Sequence, residues 1–341
     1  METMRPGPQL LIERASDDVR IALEKSDTNA LELVSWCLER LAKDSSEPDQ
    51  VRLVLSGDFV ASVRDRSENA PGASQYTIMR GSGIVGGKTI ACRDGHIDVL
   101  LHAGFFMALD EGADSMDTIQ LIRRTVAHEA QHVVMHQRES SFQEPPIRSL
   151  KAANLESAAL AIIEEYRAEL GVELELREGD ARWDPLQILD DLSAGLGIAV
   201  AEYQFHLEVE RLIFDVGASA LVAWKSLAYQ VAEERIMLGE HRSNVRATQD
   251  KRWAKLIGPH WDEFIDLLGS LGAGTAKTAP AELTSAASAL AQLLDEWLLT
   301  LGFRWTDTPN GSSHFAIEQW YFEETDFLAA LEHMSGQSPR S

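Results

Sequence analysis

The sequence predicts an α+β protein, with a small antiparallel sheet early in the chain followed by a mainly helical C-terminal half. Three observations predict it. Strand-forming runs crowd residues 51–102, a turn signal joins the last two of them, and apolar residues recur at helical spacing over most of the chain beyond Asp117.

Taken in order, Val19, Ile21, Leu23, Leu31, Leu33, Val34 and Leu38 predict two short helices, interrupted near Ser26 to Asn29, in an N-terminal helical segment over 1–50. Strands are expected at 51–55, 76–80, 83–92 and 96–102. Arg93-Asp94-Gly95 is a good hairpin turn between the last two, because Asp and Gly tolerate positive φ. Helices are expected at 117–138, 148–170, 185–213, 216–238, 246–270, 281–302 and 315–334. The spacing thus divides the chain into 1–50, a core over 51–180 and a helical region over 181–341, with 271–280, rich in Gly, Ala and Thr, as a candidate linker. A loop is expected at 309–313 and a frayed tail at 336–341.

With 45% apolar residues among 341, the chain can bury a sizeable core. Its formal net charge of -23 argues against direct nucleic-acid binding and favours a basic protein partner. Leu10, Leu11 and Ile12, followed at once by Glu13 and Arg14, make no secretory segment, and no membrane-spanning run is expected. Cys37 and Cys92 do not form a secreted disulfide framework, so the expected setting is the reducing cytoplasm.

The chemistry lies in His128-Glu129-Ala130-Gln131-His132, an HExxH string inside the first long helix. Residues four apart share a helix face, so the two imidazoles converge on one cation while the adjacent Glu reaches its open position. Zinc is the expected ion, with His128 and His132 as ligands and Glu129 taking the proton of a coordinated water. A catalytic zinc needs a third ligand. His136 stands about 12 Å along the helix from His128, too far to share the ion, and is assigned a supporting or structural role. On the next helix Leu155, Ala158, Ile162, Glu165, Glu169 and Val172 form one stripe, with Glu164 on the side of Ser157 and Arg167. A carboxylate on a core-facing stripe requires a partner. Glu165 is therefore the expected third ligand, and Glu169 the acceptor that orients a ligand imidazole.

An HExxH helix followed by a helix carrying Glu165-Tyr166-Arg167-Ala168-Glu169 resembles the gluzincin class of metallopeptidases, in which the first of those glutamates is the third ligand. Within that class, His128 to His136 resembles the ImmA/IrrE-type peptidases, which often have a further His at the last position. The resemblance covers about residues 76–175 and implies a zincin-like core and cleavage of a regulatory protein, often a transcriptional repressor. It also makes the strand of Ile97, Val99 and Leu101 the edge strand that pairs with substrate backbone. Two positions depart from the pattern: Gln131 stands where Gly is usual, and Glu169-Leu170-Gly171 replaces Asn or Asp with an apolar follower. The family's helix-turn-helix module is not evident.

Candidates for stabilising an oxyanion are Tyr203, His206, His241 and His260, and the tryptophans Trp224, Trp253, Trp261, Trp297, Trp305 and Trp320 are expected to pack the C-terminal helices together. The competing class is a binding or regulatory protein that keeps a zincin-like fold without turnover. A hydrolase acting on a non-peptide amide is the third.

Overall fold

The computed structural model describes residues 7–17, 20–21, 29–67, 78–80, 83–107, 115–138, 149–177, 184–238, 249–308 and 312–319. The chain forms two units: Met1–Phe142 with Gly171–Gly179 and Ala273–Lys277, and Gln143–Leu170 with Asp180–Gly272 and Thr278–Ser341. The architecture is α+β, with the sheet and the HExxH helix first and a largely helical region after them.

In the first unit a four-stranded sheet runs in the order β1 (Gln9–Glu13), β2 (Val51–Ser56), β6 (Ile97–His102), β5 (Gly87–Ala91). The expected hairpin is present. β5 and β6 are antiparallel around a turn in which Gly95 has φ 85° and the Asp94 carboxylate accepts from the His96 amide at 3.1 Å. The other two pairs are parallel, so the sheet is mixed rather than wholly antiparallel. Parallel neighbours need crossover connections. Helix α1 (Asn29–Lys43) lies between β1 and β2, and α2 (Phe59–Arg66) between β2 and β6, where no helix was expected. Asp58 caps α2, its carboxylate accepting from the Ala61 amide at 3.0 Å. The two-residue strands β3 (Met79–Arg80) and β4 (Gly83–Ile84) form a separate hairpin.

Both faces of the sheet are covered, which is why its central strands are apolar almost throughout. Val51, Leu53, Leu55, Ile97, Val99 and Leu101 pack against α1 and α4 (Ser115–Arg138), the latter through Ile122, Val126, Ala130 and Val133. A short helix, α3 (Gly104–Met107), joins β6 to this region. On the opposite face Val54 and Leu100 meet Phe59 and Val63 of α2. That face also holds a fully buried carboxylate. Asp98 accepts from Arg52 Nε and Arg66 Nε, each at 2.5 Å. Arg52 reaches on to Asp94, and Arg66 to Glu13, whose carboxyl is held below its ordinary range by the Arg66 hydrogen bond against the opposing effect of burial.

The second unit is built from α5 (Leu150–Leu170), α6 (Pro185–His206), α7 (Val209–Leu238), α8 (Lys251–Leu256), α9 (Gly258–Gly269) and α10 (Pro280–Thr300), with a hairpin of β7 (Phe303–Asp307) and β8 (Ser313–Ile317). The tryptophans do pack its core: Trp224 lies edge-on to Trp297 with ring centroids 5.6 Å apart, and Trp253 edge-on to Trp261 at 5.0 Å. The helix expected over 185–213 ends early, because Leu207 turns left-handed at φ 56°. The one expected over 246–270 breaks at Ile257, just before Gly258-Pro259 opens the next helix. Where a helix was expected from 315, the chain is in β8 instead. That stretch from Trp320 on, the tail 336–341, His241, Val19 and Leu23 lie outside the described residues. Contrary to expectation, α7 is long and apolar enough, by length and composition alone, to cross a membrane over Val209–Met237. Within its unit it places Leu212, Val216, Trp224, Leu227 and Val231 in the core.

Replacing Asp98 by Ala leaves two guanidinium groups without their buried partner. The expected cost is about 3–5 kcal/mol in urea unfolding, against less than about 1 kcal/mol for Asp94→Ala at the exposed end of the same network.

Candidate metal centre

Helix α4 is fixed in rotation by its buried stripe, and this decides where its polar residues go. His128 and His132 fall together on another side, both half-buried, with their Nε2 atoms 3.2 Å apart and ring centroids 5.0 Å apart. Two nitrogens held about 2.0–2.1 Å from one tetrahedral ion lie about 3.3 Å apart, so the pair has the spacing zinc requires.

Glu129 is buried beside β5. Thr89 Oγ1 donates to Glu129 Oε2 at 2.6 Å, tying down one carboxylate oxygen. The other oxygen lies by Gly87, where an added Cβ would stand 3.2 Å from Glu129 Oε1 and 2.8 Å from Thr125 Cγ2. Gly87 is therefore needed for the strand and the helix to approach this closely. No pattern in the sequence pairs Thr89 with Glu129, since a threonine in a strand is ordinary and its partner lies far along the chain.

The edge-strand expectation is corrected here. β6 lies between β2 and β5, so the main chain of Ile97, Val99 and Leu101 is paired on both sides, and their side chains are core. β5 ends the strand order, and it is the strand beside Glu129.

Gln131, one of the two departures from the family pattern, is packed closely against Gly171. Its side chain is buried; Nε2 donates to the Gly171 carbonyl at 3.3 Å, and Oε1 accepts from the Thr275 amide at 3.1 Å. A Cβ on Gly171 would lie 2.2 Å from Gln131 Cδ. His136 is exposed one turn beyond His132.

Within the second unit, Glu165 sits on α5 with its side chain 13% exposed. Lys225 Nζ contacts Glu165 Oε1 at 2.9 Å, and the Tyr229 hydroxyl donates to Oε2; both partners project from α7, one turn apart. Glu169, one turn beyond Glu165, is buried. The chain therefore supplies a His, His and Glu donor set of the kind zinc takes, His128 and His132 in the first unit and Glu165 in the second. Competing thiolates are disfavoured, because burial pushes the Cys37 thiol up to about 12 and, as the leading cause, raises Cys92 as well.

A second group, Glu202, His206 and Asp215, offers ligand atoms within 4.8 Å of one another, but its chemistry does not fit a metal. His206 Nδ1 accepts the Glu208 amide at 2.8 Å, which leaves the proton of the neutral ring on Nε2, and Arg211 already pairs with both carboxylates. Of the other oxyanion candidates, Tyr203 stacks edge-on with His206, and His260 is buried with its pKa lowered by desolvation.

No family pattern, no curated protein and no solved structure matches the chain.

Gly171→Ala must dislodge the Gln131 amide from both hydrogen bonds, with an expected loss of about 1–3 kcal/mol in urea unfolding. In a Gln131→Ala background the same substitution should cost under about 0.5 kcal/mol, the non-additivity that marks residues in contact.

Proposed function

We propose that this protein is a zinc-dependent metallopeptidase of the gluzincin type, with His128, His132 and Glu165 as ligands and Glu129 as general base. The observation that carries the reading is the 3.2 Å separation of the two Nε2 atoms, with the Glu129 carboxylate held between them in sequence and fixed by Thr89. When bound, zinc supplies Lewis acidity toward a scissile carbonyl and a water that gives up its proton near neutral pH. Glu129 accepts that proton and returns it to the leaving amine. Thr89 restrains one of its oxygens, so the other, beside Gly87, is the one that moves the proton. Buried residues around Glu129 limit competing bulk water.

β5 takes the part expected of β6. As the last strand beside Glu129, it offers main-chain groups to an extended peptide, which is then bound with little dependence on its side chains. The substrate is a protein or peptide; the net charge of -23 favours a basic one, and the motif's resemblance to the ImmA/IrrE-type peptidases favours a regulatory protein. His136 and Glu169 serve as supporting groups around the ligands. A reducing cytoplasm suits the two free thiols, Cys37 and Cys92.

The test is metal analysis together with a comparison of new protein N-termini in cells expressing wild type and Glu129→Gln. Stoichiometric zinc is expected in both proteins and lost from His132→Ala, with cleavage products only in the wild type. Absence of zinc from the wild type would overturn the metal site, and identical N-termini in the two cell populations would overturn the peptidase.

A further inference from the structure

Glu165 is not a bare acid on a helix face. Both of its oxygens are engaged within the second unit by one element, α7: Oε1 by the Lys225 ammonium at 2.9 Å and Oε2 by the Tyr229 hydroxyl. Lys225 and Tyr229 are four apart, so they share a face of α7, and α7 is itself seated by Trp224, Leu227, Ala228 and Val231 in the core. The neighbours alternate with the grip: Trp224 and Ala228 are buried directly before Lys225 and Tyr229. A rigid helix therefore presents two different donors to one carboxylate.

The two donors do different things. A phenol is neutral; it holds the carboxylate plane in one rotation and leaves its charge intact. An ammonium adds a positive charge to the oxygen it touches, and any second cation on that carboxylate is repelled by it.

We infer that Lys225 and Tyr229 are positioning residues that set the metal affinity of Glu165 in opposite directions. Tyr229 orients the carboxylate for an ion, and Lys225 competes with the ion for it. The inference rests on Glu165 being the third zinc ligand. In the metal-free protein Lys225 neutralises Glu165, so the acid is stable on a largely buried face. Zinc then has to share a carboxylate already paired with a cation, which keeps the affinity below what two imidazoles and a carboxylate would otherwise reach.

The test is zinc affinity, measured by competition with a fluorescent chelator, on full-length wild type, Tyr229→Phe, Lys225→Met and Lys225→Arg, each checked for native far-UV dichroism. Tyr229→Phe should weaken zinc about 10–100-fold, the usual effect of losing an outer partner of a ligand. Lys225→Met should tighten it at least roughly tenfold, the effect of removing one unit charge a few ångströms from a divalent ion even at the dielectric of water. Lys225→Arg keeps the charge and should stay near wild type. A purely structural role would weaken binding in every variant. Parallel weakening by Tyr229→Phe and Lys225→Met, or no change in either, would overturn the inference. If Tyr229→Phe does not fold, the contrast between Met and Arg at position 225 decides it alone. A wild type that takes no zinc removes the metal reading and this inference together; a zinc-binding wild type matched by its variants removes only the inference.

Discussion

Helix α4 works under a constraint of phase. Its apolar residues, Ile122, Val126, Ala130 and Val133, must stay against the sheet, and that single requirement sets the direction of every polar side chain between them. His128 and His132 emerge together because four residues nearly complete a turn, and Glu129 emerges toward β5 because it is one residue on. Rotating the helix to improve any one of these would expose the core and separate the imidazoles. The pair is therefore held by apolar burial, the least directional of forces, acting on a rigid helix.

The same logic separates what was legible in the sequence from what was not. Helix positions were legible because burial repeats along them with a period the residues display. The hairpin of β5 and β6 was legible because Asp94-Gly95 has local conformational preferences. Strand partnership carries no such mark: alternation and β-branching describe a strand without saying which neighbour it pairs with or in which direction. β6 was taken for an edge although it is interior, and α2 was missed because its eight residues, Phe59 to Arg66, include two arginines and an aspartate that face outward or into the Asp98 network. The end of α6 at Leu207 had no glycine or proline to announce it.

In the candidate site, the two histidines and Glu129 could be seen because they are neighbours in the chain. Glu165 could be reached only through helical phase and a family resemblance. Thr89, Lys225 and Tyr229 could not be reached at all, since each matters through a partner 40 to 64 positions away. Gln131 could be seen only as a departure, because its match to Gly171 is a contact in space: the buried amide lies where a side chain at Gly171 would have to stand.

The division of the chain has an implication for its modularity. The first unit draws on Met1–Phe142, Gly171–Gly179 and Ala273–Lys277, with the second unit's helices spliced between them. No single scission frees either half. A fragment ending at residue 142 would retain the HExxH string yet lack the glycine and the threonine amide that satisfy Gln131. The motif's helix is thus not a self-contained cassette, since the groups that satisfy it come from Gly171 and Thr275, two later and separate stretches of the chain.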